Sequence, residues 1–245
     1  MIMDSFTAPS LPAKVLMLHG HGQSGQFFEG KTRFLQPHLR DMILKASQSD
    51  NTCASDSVEF YYPSGVLPGN PDQREGDNTR VWGYGDRQVD RIKGLDQSIS
   101  YVLNILETDG PFIGVVGFST GAALAAIITS LLEKRKSVCG FNFDTTHPPL
   151  KFAVCCSGFK LGNPWYTKLY KPRIETPILH VIALMDNVVE PKESMQLVKF
   201  CNKGTLYSFF GTHYVPRSRQ FVEKLAEFIR GALDMTDSDE DWEDC

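Results

Sequence analysis

No stretch of the sequence approaches the ~18 consecutive apolar residues that a membrane-spanning helix requires, so no span is expected. The N-terminus lacks a cationic start followed by an apolar run; no secretory signal is expected, and a cytoplasmic location is. The six cysteines form no CxxC pair, and no histidine stands at metal-ligand spacing from them. No metal site is therefore expected, and reduced thiols are the simplest state. Basic charge is scarce too, with 25 Lys and Arg against 29 Asp and Glu. Seven of those acids fall in residues 234–245, which contain no basic residue, so the rest of the chain is only slightly basic. That surplus is too small for a nucleic-acid surface. Internal repeats are also lacking.

What is present is the composition of an ordinary globular protein, 42% hydrophobic and 22% charged over 245 residues, enough for one well-buried core. A single domain is expected over residues 13–233, between a flexible segment at 1–12 and an acidic, unstructured tail at 234–245. Strand-like runs occur at 14–19, 58–62, 112–118, 152–157, 178–184 and 205–210. Several are continuously apolar rather than alternating, the pattern of parallel strands covered on both faces. Helical periodicity fills the intervals at 90–106, 120–134, 193–200 and 218–233. This alternation predicts an α/β fold, a doubly wound, mostly parallel sheet with helices on both faces. Residues 63–86 and 136–149 break the rhythm as long loops, the first at the carboxyl edge of the sheet where such folds bind ligands.

The decisive motif is Gly117-Phe118-Ser119-Thr120-Gly121, entered from an apolar strand and left through a small-residue helix. In that context GxSxG is a nucleophile elbow, a turn so tight that both flanking positions need glycine. It projects the serine hydroxyl above the sheet at a helix N-terminus, where developing negative charge is favoured. A serine is a weak nucleophile without a base, and the partners are expected downstream in the order Ser, acid, His. Asp186 ends the strand at 178–184, and His213 follows the strand at 205–210. Glu190, just before Pro191, reads better as a first-turn acid of a helix. His180 lies within a strand, His147 in a loop and His38 in a helix, so His213 is the expected base and Asp186 its orienting acid.

The first strand ends in Leu18-His19-Gly20-His21-Gly22. An HGxG turn there lends a backbone N–H to an oxyanion hole, so the amides of His21 and Thr120 are the expected pair of donors. In the loop at 63–86, Trp82 and Tyr84 are the expected walls of a substrate pocket. A pocket wall at Trp82 predicts that Trp82→Ala changes acyl preference with little change in stability; a residue that only anchors the loop predicts the reverse.

Lys14-Val15-Leu16-Met17-Leu18-His19-Gly20 with Gln23-Ser24, and Gly110-Pro111-Phe112 leading to Gly117-Phe118-Ser119, resemble the FSH-type serine hydrolase family of fungi. So do Pro149-Leu150-Lys151-Phe152 with Ser157-Gly158-Phe159, Thr176-Pro177 with Leu179-His180-Val181, and His213 followed by Val215-Pro216. The resemblance covers about residues 14–233. It implies an α/β-hydrolase fold and a Ser-Asp-His triad that cleaves a small-molecule carboxylic ester or thioester through an acyl-enzyme, with no cofactor. Its relatives include esterases such as the ovarian-cancer-associated homologue of animals and thioesterase-like members of fungal polyketide clusters. A thioesterase serving such a pathway, and a catalytically silent binding module on the same fold, are the alternatives. Three departures bear on substrate preference: Thr120 stands where the family usually has Gln, Ala183 where it has Gly, and Phe210-Gly211-Thr212 where it has His-Pro-Gly.

Overall fold

The computed structural model describes residues 11–49, 57–70, 72, 77–134 and 145–240. The segment expected to be flexible at 1–12 lies outside them except for Leu11 and Pro12, as do residues 136–144 of the second loop and 241–245 of the tail.

The apolar run after Pro12 forms β1 (Ala13–Leu18), and a Ser24 cap opens α1 (Gly25–Thr32), its hydroxyl accepting the Phe27 N–H. A short 3-10 turn leads to α2 (Gln36–Ser49), followed by β2 (Val58–Tyr61). Then come the two-residue strands β3 (Leu67–Pro68) and β4 (Arg80–Val81), α3 (Leu95–Asp109), β5 (Phe112–Phe118) and α4 (Thr120–Lys134). The chain continues through β6 (Phe152–Cys156), a 3-10 helix (Pro164–Tyr170), β7 (Ile178–Ala183), α5 (Pro191–Val198), β8 (Gly204–Phe209) and α6 (Arg219–Glu240).

Six strands pair in the order β2-β1-β5-β6-β7-β8, every pair parallel. Side chains alternate across the sheet with the strand period of two. Leu16 and Leu18 of β1, with Ala153 and Cys155 of β6, enter one core with α3, α4 and α5. Val15 and Met17, with Val154 and Cys156, enter the other with α1, α2 and α6. The sheet is thus covered on both faces, which is why its central strands read as unbroken apolar runs. Ala122, Ala123, Ala125 and Ala126 keep α4 thin, letting residues 121–132 bury against β5 and β6. From β1 the chain passes to β2 on one side, and from β5 to β6 on the other. The switch point therefore lies between the carboxyl ends of β1 and β5, the place where open α/β sheets form their ligand crevice.

Three boundaries differ from the sequence expectation. The loop at 63–86 carries the β3–β4 hairpin, with Leu67 opposite Val81, and a bridge from Arg80 to Gln23 ties it to the turn after β1. Helix α3 begins at Leu95 rather than near Asp90, because Gly94 takes φ +79° and residues 84 and 93 pair as an antiparallel bridge. Helix α6 continues to Glu240, so the acidic segment begins as helix rather than as an unstructured tail at 234. No helix among the described residues is long and apolar enough to cross a membrane.

Candidate active site

Ser119 sits between the last residue of β5 and the first of α4 with φ +54°, in the left-handed region that costs a residue with a side chain about 1–3 kcal/mol. The surroundings hold it there. Its N–H donates to Cys156 O at 2.9 Å, and its carbonyl accepts from the Ala122 and Ala123 N–H groups at 3.0 Å each. A Cβ on Gly117 would stand 2.5 Å from Gly121 O, and one on Gly121 would stand 2.2 Å from Leu18 O and 2.4 Å from His19 O. Both glycines are therefore steric requirements, and the second one presses the end of β1 against the elbow.

Asp186 and His213 meet directly. His213 Nδ1 lies 2.7 Å from Asp186 Oδ2, which also accepts from the Ser157 hydroxyl at 2.9 Å. The other oxygen, Oδ1, accepts from the Val188 and Val189 N–H groups, both at 2.9 Å. Burial pushes the Asp186 carboxyl up, but the bonds from His213, Val189, Ser157 and Val188 outweigh it and hold the pKa below the usual carboxylate value. An anion fixed in this way holds Nδ1 of the imidazole protonated and leaves Nε2 as the acceptor. The His213 ring packs on Phe118, the residue before Ser119, at 4.7 Å between centroids. The Ser119 hydroxyl itself makes no hydrogen bond to another described residue. Such contacts are often long in a free enzyme and tighten on substrate.

Ser157 is the site residue that the sequence reading missed. It follows β6 at φ +47°, one of two residues with a side chain in that region among those described, the other being Ser119. Its N–H donates to Val181 O at 2.8 Å, which aims the hydroxyl at Asp186. The signal in the sequence was a polar residue closing the apolar run Phe152–Cys156, immediately followed by glycine.

The remaining histidines fall elsewhere. His38 is exposed on α2, and His147 accepts the Phe112 N–H on Nε2 at 2.8 Å. His180 is buried in β7, where desolvation lowers its pKa to about 4. His19 is structural: Nδ1 lies 2.7 Å from Gly20 O and Nε2 accepts the Gly65 N–H at 2.8 Å, an arrangement that requires the neutral ring. Burial depresses its pKa to about 4. No group of three His, Cys, Asp or Glu side chains among the described residues is arranged to hold a metal.

The backbone of His21 follows the β1 turn, and Thr120 opens α4, where the first N–H groups have no partner within the helix. Both residues line a cavity of about 650 Å³ that also holds Ser119. Its lining includes Ala123, Leu124 and Ile127 of α4, together with Phe159 and Leu161. Trp82 and Tyr84 also line this cavity.

Trp82 nevertheless combines the two roles that the sequence reading set against each other. It is 3% exposed, its Nε1–H donates to His19 O at 2.8 Å, and its ring lies 4.7 Å from that of His19. A pocket wall built into the core in this way cannot be removed at little cost to stability. Trp82→Ala is expected to destabilise by about 3–5 kcal/mol, which for a domain of this size lowers Tm by roughly 10 °C. Thermal unfolding followed by circular dichroism measures this, and an unchanged Tm contradicts the anchoring.

The family model described as Serine hydrolase (FSH1) matches residues 10–225. A Saccharomyces cerevisiae protein named Family of serine hydrolases 3 is 32% identical, across 89% of this chain and 84% of its own length. A Schizosaccharomyces pombe protein named Dihydrofolate reductase is 28% identical across 91% of this chain, which spans only 48% of that longer protein. Among solved structures, acyl-protein thioesterase 2 of Zea mays superposes with a TM-score of 0.58, covering 91% of this chain and 95% of its own at 20% identity. That likeness establishes the α/β-hydrolase fold.

Proposed function

The chain belongs to the FSH1 family of serine hydrolases, and we propose that it cleaves a carboxylic ester or thioester with an apolar acyl chain, Ser119 acting as nucleophile, His213 as base and Asp186 as its orienting acid. The observation that carries this reading is the placement of His213. Its Nδ1 is fixed 2.7 Å from the Asp186 carboxylate while its ring rests on Phe118, next to a serine held at φ +54°.

In the proposed reaction, Nε2 of His213 takes the Ser119 hydroxyl proton as the oxygen attacks the substrate carbonyl. The charge that builds on the carbonyl oxygen is met by the N–H groups of His21 and Thr120. Asp186 stabilises the imidazolium and keeps the ring in one tautomer. As the tetrahedral intermediate collapses, His213 returns the proton to the departing alcohol or thiol and leaves an acyl group on Ser119. Water then attacks the acyl-enzyme with His213 again as base.

The cavity supports an apolar acyl group, because Leu95, Ala123, Leu124, Ile127, Phe159 and Leu161 line it. From Thr120 to Ile127 it follows roughly 10 Å of helix, which suits an acyl chain of about eight carbons. A panel of ester and thioester pairs of graded acyl length tests this. kcat/KM is expected to rise with chain length up to about that limit and then to level or fall. A profile indifferent to length contradicts the acyl assignment.

A further inference from the structure

Beside the apolar cavity lies a second cleft of about 690 Å³, and Arg87, Gln88 and Val188 line both. Phe159 and Leu161 face the first cavity, whereas Lys160 between them lines the second. The other charges of this cleft are spent. Arg87 pairs with Glu193 at 2.7 Å and donates to Val188 O at 2.6 Å, while Lys192 pairs with Glu190 at 2.6 Å. Lys160 has no carboxylate partner among the described residues. Its ammonium donates to Leu161 O at 2.8 Å and lies 5.4 Å from the ring centres of Tyr170 and Phe200. One of its three donors is therefore used, and the two aromatic faces attract the ammonium without neutralising its charge. Desolvation lowers its pKa, as it must for a half-buried cation that no anion compensates.

We propose that this cleft is an anion subsite in which Lys160 receives a carboxylate or phosphate carried by the substrate, separated by the Arg87–Gln88–Val188 wall from the bond cleaved at Ser119. The inference rests on the hydrolase reading above. A neutral substrate leaves the ammonium without a counter-ion, whereas an anionic one completes it with a charge-assisted hydrogen bond. The anion has two chemical sources: the far end of the acyl chain, or the leaving alcohol or thiol.

Two matched pairs of substrates distinguish these sources. The first compares the methyl ester of a fatty acid with the monomethyl ester of a dicarboxylic acid of the same length. The second compares one acyl group on a neutral thiol and on a phosphate-bearing thiol. Wild type is expected to favour the anionic member of one pair by about tenfold in kcat/KM, less at high salt. Lys160→Met keeps an unbranched apolar side chain of similar length without the ammonium and should erase that preference through KM, leaving the neutral ester within about twofold. Lys160→Arg should retain most of the preference. A second neutral variant, Lys160→Gln, guards against a packing effect peculiar to methionine. Turnover of the neutral substrates without preference in either pair overturns the subsite alone, as does an equal loss on neutral and anionic members in Lys160→Met. Failure of wild type to hydrolyse any of the four overturns the hydrolase reading and the subsite with it.

Discussion

Ser119→Ala is expected to lower kcat for ester hydrolysis by a factor on the order of 10⁶, the scale seen when the nucleophile of another serine hydrolase is removed. Folding should survive. The Ser119 hydroxyl makes no hydrogen bond to another described residue, so truncation leaves no partner stranded. The strained backbone at φ +54° is held by the bonds to Cys156, Ala122 and Ala123, all of them main chain and all available to alanine. Circular dichroism and Tm separate the outcomes. Activity near the wild-type level in a folded Ser119→Ala protein contradicts the assignment, whereas loss of both activity and fold would show that the side chain supports the elbow.

Asp186→Asn should cost less but still on the order of 10⁴ in kcat, for a reason specific to this site. Oδ1 of Asp186 accepts two main-chain N–H groups, from Val188 and Val189. An asparagine must place its carbonyl oxygen there, because an amide NH₂ would face two donors. The NH₂ then occupies the position of Oδ2, opposite His213 Nδ1. Facing a donor, Nδ1 must accept, so the ring proton moves to Nε2 and the base is blocked. The Ser157 hydroxyl can turn to accept from the same NH₂, so little stability is lost. kcat measured beside Tm checks both halves. A variant that keeps more than about a tenth of wild-type kcat contradicts the orienting role, since loss of the correct tautomer elsewhere costs about 10⁴.

How much of this was visible in the sequence depends on the range of the interaction. Strands β5, β6 and β7 declared themselves because burial on both faces leaves continuous apolar runs, and the elbow because its two glycines are demanded by contacts close to it in the chain or just across β1. Asp186 and His213 are singled out by position, since each follows the carboxyl end of a parallel strand, and the fold brings the two into contact. Ser157 escaped because its role is a contact across 29 positions of sequence, set by a backbone angle that no periodicity encodes. Trp82 lines the cavity, but its hydrogen bond to His19 joins residues 63 positions apart, and only the fold shows that it is also an anchor. The start of α3 slipped because the apolar period at Ile92 continues through a Gly94 that the backbone uses as a left-handed stop.

The central claim, that Ser119 is an activated nucleophile, is tested most directly by treating the folded protein with a fluorophosphonate and locating the adduct by peptide mass spectrometry. The account predicts one stoichiometric adduct, on Ser119, whose rate of formation falls sharply in Asp186→Asn. An unlabelled protein, or an adduct on any other residue, contradicts it.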